Sequence, residues 1–130
     1  MHRTNISSDT VWESLYGYSR AVRIGPWVEV AGTAAVSGEE VMFPDDFYNQ
    51  TSFILLKIQQ ALHDAGARME DVVRTRIYVT DIEHADEVGR AHGEFFGNIR
   101  PASTMVEVYR LIGEGMVVEI EASAVIRDQP

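Results

Sequence analysis

Glu119 is the residue of this chain whose setting most invites chemistry. It lies in the run Val-Val-Glu-Ile-Glu-Ala-Ser-Ala-Val at 117–125, where loss of water would lift a carboxylate toward the pKa of a useful general acid or base. Side chains alternate between the faces of a strand, so Glu119 and Glu121 share one face. By the same rule Arg74, Arg76 and Tyr78 lie opposite Val73, Thr75, Ile77 and Val79, and Glu107 shares a face with Tyr109. If these faces coincide, two arginines meet three carboxylates, and the arginines would lower the pKa that burial raises. Two readings of Glu119 therefore stand side by side: an acid–base group, and a salt-bridge partner of Arg74 or Arg76.

Other chemistries find less support. His2, His63, His84 and His92 show neither the His-x-x-x-His nor the His-x-x-Glu-His spacing of a metal site. The chain has no cysteine, so disulfides and thiolate sites are excluded. Gly113-x-Gly115 reads as a turn, not a phosphate loop, and no Gly-x-Ser-x-Gly elbow occurs. Ser103, after Pro101-Ala102, reads as a turn serine because no base neighbours it in sequence.

The elements that would position these groups follow from pattern. Ser19–Ile24 and Trp27–Ala34 read as strands joined by a Gly25-Pro26 turn, hence an antiparallel hairpin. After a polar loop at 37–46, Asp45 or Asp46 is placed to cap a helix whose stripe is Ile54, Leu55, Ile58, Leu62 and Ala65, with Gly66 as its stop. A strand at 72–79 leads to Thr80 or Asp81 as the cap of a second helix, with the stripe Ala85, Val88, Ala91, Phe95 and Phe96 and its end at Gly97. Strands near 104–109 and 116–126 complete a β-β-α-β-α-β-β order. Both helices carry one apolar stripe, so both can lie on the same face of a single sheet. Residues 1–16 read as irregular.

The other face carries the matched charges, together with Tyr78, Tyr109, Val117 and Val125. On a monomer, solvated pairs there would contribute only ~0–1 kcal/mol each. Covered by another subunit, unmatched charges would cost several kcal/mol, so the pattern predicts an oligomer assembled through that face.

The chain of 130 residues, 45% hydrophobic and 24% charged, is expected to form one globular domain spanning 1–130. Its net charge is −9, with Lys57 its single lysine and no basic run, which argues against nucleic acid as a partner. No window approaches the ~18 apolar residues of a transmembrane helix, and the amino-terminal residues lack the apolar stretch of a secretory signal. A cytoplasmic location without membrane association is the expectation.

Several strings, taken in order, resemble one family. They are Val-Ala-Gly-Thr-Ala at 30–34, Ala-Leu-x-x-Ala-Gly at 61–66, Asp-Val-Val-Arg-Thr-Arg-Ile-Tyr-Val-Thr-Asp-Ile at 71–82, Phe-Phe at 95–96, Arg-Pro-Ala-Ser-Thr-Met-Val-Glu-Val at 100–108 and Val-Glu-Ile-Glu-Ala at 118–122. From Tyr18 to Val125 the chain is similar to the Rid family, also called YjgF/YER057c/UK114 or L-PSP endoribonuclease. The resemblance implies an α+β, chorismate-mutase-like fold in a homotrimer, with small-molecule sites in the clefts between subunits and no cofactor. Members with deaminase activity hydrolyse imines or enamines to a keto acid and ammonia. Carried over, Glu119 and Tyr18 would assist water attack, and Ala31, Gly32, Ser103 and Met105 would line the pocket, with Gly89 and His92 of the second-helix region bounding it from the next chain.

Three positions depart from the family pattern. Ser103 stands where an arginine grips the substrate carboxylate, Gly89 where asparagine is common, and Ala31 where serine is frequent. Arg76 or Arg100 could replace the missing arginine. The resemblance thus supports hydrolysis of a C–N compound, with a non-catalytic ligand-binding or regulatory trimer as the alternative. Ribonuclease activity is disfavoured by the charge.

Overall fold

A computed structural model describes residues 1–8 and 10–127. The strands are β1 (Arg3–Ile6), β2 (Ala21–Ile24), β3 (Trp27–Ala34), the short β4 (Val36–Ser37) and β5 (Glu40–Val41), β6 (Val72–Val79), β7 (Ala102–Glu107) and β8 (Val118–Val125). The helices are α1 (Trp12–Tyr16), α2 (Phe47–Asp64) and α3 (Ala85–Phe96). Six strands form one sheet in the order β1-β2-β3-β8-β6-β7. Every pairing is antiparallel except β6 with β7, which is parallel and so needs α3 as its crossover.

Helix α2 lies across β3 and β8, and α3 packs beside it. The expected stripe of α2 is the centre of the core: Ile54, Leu55, Ile58 and Leu62 are fully buried, with Ala65 nearly so. They meet Val28, Val30, Ile77, Val79, Ile120, Ala122 and Ala124 from the sheet. Each large side chain removed from water in this way contributes roughly 1.5–3 kcal/mol. Asp46 is the N-cap, accepting from the Asn49 amide at 3.0 Å. Asp81 caps a short 3₁₀ turn at Ile82–His84 that runs into α3.

Gln50 is a fully buried amide on α2. It donates toward the carbonyls of Met42 (3.2 Å), Phe43 (3.1 Å) and Gly115 (2.8 Å), and it accepts from the Val117 amide at 3.0 Å. The segments 42–43 and 115–117 are therefore tied to the core helix.

The structure corrects four expectations. Residues 3–6 are not irregular: they pair with β2 as an edge strand, and residues 12–16 are helical. The pairing is directed by the partner strand, because β1 buries only Ile6 and so has no alternating apolar signal of its own. Val73 does not face the helices; it is 48% exposed while Val72 is buried. The β6–β8 register shifts between Val72 and Arg74, and the extra residue of such a bulge slips the alternation by one. Glu107 does not share the arginine face. In the parallel pairing it sits beside Val79, while Thr104 sits beside Arg76; its carboxylate accepts from the Ile82 amide at 2.9 Å. Tyr109 lies beyond the end of β7, almost fully exposed, and Val117 is buried ahead of β8.

Candidate functional site

The site begins with an interruption in a strand. The β3–β8 register shifts between Val30 and Thr33, so Ala31 and Gly32 form a bulge that turns the strand out of its ladder. Arg20 holds the bulge in place. Its Nη1 donates to the Gly32 carbonyl and to Thr33 Oγ1, both at 2.8 Å, and its own carbonyl accepts from the Ala31 amide at 2.9 Å. Glu119, opposite Ala34 on β8, leans over Gly32. A Cβ at position 32 would collide with Glu119 Oε2, so glycine is what admits the carboxylate there.

Arg20 is 4% exposed and Glu13 6%, and they form an ion pair at 3.4 Å. The Ser8 amide (3.0 Å), the Ser8 hydroxyl and Thr10 Oγ1 (3.1 Å) also bond to the Glu13 carboxylate. Burial alone would raise Glu13, but these hydrogen bonds and Arg20 outweigh it and hold it below the usual carboxylate range. Glu119 goes the other way: burial pushes it up, Arg20 offsets part of that, and nearby Glu121 adds to the rise.

Above this floor is a cavity of about 360 Å³. Tyr18, Ala31, Gly32, Arg20 and Glu119 form its base, and Trp12 and Tyr16 of α1 form one wall. Val36, Lys57 and Ile112 complete the lining with Thr10 and Ala34. Lys57 Nζ donates to the Val36 carbonyl at 2.6 Å, and the Arg20 guanidinium lies 5.7 Å from the centre of the Tyr18 ring. A half-buried carboxylate with a raised pKa that lines one cavity with a phenol is suited to moving a proton on or off a bound molecule.

The structure gathers Tyr18, Ala31, Gly32 and Glu119 at one place and sets the other candidates elsewhere in the chain. Ser103 and His92 meet through Thr75: Thr75 Oγ1 donates to Ser103 Oγ at 2.8 Å and bonds His92 Nε2 at 2.9 Å. Burial lowers the His92 pKa. With its one proton given to Ser103, Thr75 accepts from His92 Nε2, so the imidazole is a donor in this row, a link that sequence proximity did not reveal. Met105 is partly buried against the core beside Ile77. Gly89 is exposed on α3, with open space where a side chain would be. Arg76 lies on the open sheet face, 3.7 Å from Glu121 with both side chains more than a third exposed, and it does not line the cavity. Arg20, Glu13, Trp12, Tyr16, Lys57 and Ile112 were not foreseen. The available signal was Gly32 inside a strand pattern, which marks a bulge or a close approach.

Comparison with known proteins identifies the class. The Endoribonuclease L-PSP family profile matches residues 10–126. A Streptomyces coelicolor protein is 35% identical over 119 residues, covering 92% of this chain and 89% of its own. A RutC family protein of Pyrococcus abyssi is 32% identical, covering 82% and 84%. The chain therefore belongs to the Rid (YjgF/YER057c/UK114) family, and the α+β fold is that of the family. A crystal structure of a Mycobacterium tuberculosis member superposes with a TM-score of 0.88 at 53% identity, covering 96% of this chain and all of that one. A Yersinia pestis member of the Rid family gives 0.85 at 26% identity, with 96% and full coverage.

Proposed function

We propose that this protein hydrolyses a small imine or enamine in a cleft completed by a neighbouring subunit of a homotrimer. Water adds to the carbon of the C=N bond, the C–N bond then breaks, and the products are a carbonyl compound and ammonia. Glu119, ionised, takes the proton of the attacking water and returns it to the departing nitrogen; Tyr18 orients the water. The observation that carries this reading is the Glu119 carboxylate, lifted by burial and seated against the Gly32 bulge at the base of the cavity. Family membership supports the reaction class, and the half-exposed face bearing Arg76, Tyr78 and Glu121 supports assembly. Light scattering should give three times the chain mass, and a monomer at micromolar concentration would count against the trimer.

A second reading is a non-catalytic ligand-binding trimer. It is favoured by Ser103, which brings no cation and whose hydroxyl is engaged by Thr75. A coupled assay separates the two: an oxidase generates an imine, and its decay is followed with and without the protein. Acceleration that falls at least 100-fold in Glu119→Gln, within the range for loss of a general acid–base group, supports hydrolysis. Unchanged decay in the presence of a ligand that binds the cavity supports the binder.

A further inference from the structure

We infer that the preferred substrate is an aromatic imine without a free carboxylate, of the kind released by oxidation of an arylalkylamine. The inference rests on the hydrolytic reading and names what the cavity selects. Its charge count is the first ground. Among the described residues, two cations, Arg20 and Lys57, stand with two carboxylates, Glu13 and Glu119, in or directly behind the lining. Arg20 is committed to Glu13, to the Gly32 carbonyl and to Thr33, and the Lys57 ammonium to the Val36 carbonyl. Within the part of the cleft that one chain provides, a substrate carboxylate would bring a third negative charge beside Glu119 with both of these cations already engaged. Desolvating such a charge without a partner is strongly unfavourable.

The wall supplies the second ground. Trp12, Tyr16 and Tyr18 present three rings to a space of about 360 Å³, within the range of cavities that enclose ligands of several ring atoms. Tyr16 is 66% exposed and Ile112 67%, although both border this concave space. A flat apolar substituent would take this surface from water and stack on the rings. A protonated C=N nitrogen would meet Glu119 at the base. Hydrolysis balances without a co-reactant: ArCH₂CH=NH and water give ArCH₂CHO and ammonia.

The test uses the full chain and two imines sharing one phenyl group. A flavin amine oxidase supplies the imine of 2-phenylethylamine, and an amino-acid oxidase supplies that of phenylalanine. We expect kcat/KM at least 10-fold higher for the carboxylate-free imine, and Trp12→Ala to reduce that value about 10-fold. Equal or faster hydrolysis of the phenylalanine imine would overturn the inference. Binding is read separately, as quenching of Trp12 fluorescence by 2-phenylethylamine in a Trp27→Phe background. Quenching without turnover of any imine upholds the ligand class and sinks the hydrolytic reading. Neither quenching nor a preference for the aromatic imine sinks the inference itself.

Discussion

The chain holds two polar networks that answer the same problem, hydrogen-bonding groups next to a core, in opposite ways. Around the β3 bulge the solution is ionic: Glu13 and Arg20 pair out of solvent, and Glu119 is left with a raised pKa. Between β6, β7 and α3 it is neutral, two hydroxyls and an imidazole in a row. An ionic network is costly to break but can hold a reactive group away from its ordinary pKa. A hydroxyl chain costs little to break and perturbs little. On the proposed reading, proton chemistry sits at the bulge, and the Ser103 cluster joins β6, β7 and α3.

The largest effect should come from Glu13→Gln. Removing one partner of a buried ion pair strands Arg20, and a loss of about 3 kcal/mol is expected in urea denaturation. Because the folded Glu13 pKa is depressed, its stabilisation is present above the unfolded value and is lost as pH falls through the folded one. The difference between wild type and variant should therefore shrink below about pH 4. In active protein the same change leaves the Arg20 charge uncompensated near Glu119, so the acidic limb of the rate profile should move to lower pH. A limb that stays in place would separate the two carboxylates.

Thr75→Val tests the neutral side. It removes the central hydroxyl at nearly constant volume, and about 1 kcal/mol is expected, with the rate limb unmoved. A loss as large as that of Glu13→Gln would erase the distinction between the networks.

The smallest effect is spectroscopic. His84 bonds to Glu87 at 2.9 Å, which raises its pKa; burial lowers that of His92. In an NMR titration His84 should hold its proton to higher pH than an ordinary histidine, and His92 should release it at lower pH. Protonating His92 opposes folding, so stability should decline as pH drops through the ordinary histidine range toward its folded value. Reversed order of the two titrations would mean that the imidazole carries more charge coupling than the structure gives it.

Much of this architecture was legible in the residues. The α2 stripe, its aspartate cap and the Gly25-Pro26 hairpin are local, and local periodicity reports them well. The two bulges are not local. Each depends on how one strand's length matches its neighbour's, which is why Val73 was assigned to the wrong face and why the geometry at Ala31–Gly32 had to be seen. Glu119 was legible as a carboxylate among aliphatic residues, and its expected partners were Arg74 or Arg76. The guanidinium that bears on it belongs instead to Arg20, a residue whose role depends on a short helix without a periodic signal. Arg76 does pair with a carboxylate, Glu121, as sign alternation anticipated.

Gln50 gives the cavity an asymmetry in time. The segment ending at Gly115 and Val117, which follows Ile112 in the wall, shares its hydrogen bonds with the middle of α2. It cannot swing outward without leaving a core amide unsatisfied, so that side should open only as rarely as the core itself does. Helix α1, which also lines the cavity, is pinned chiefly through Glu13. Molecules entering or leaving would pass on the α1 side, and their residence would be set by how often one carboxylate releases its partners.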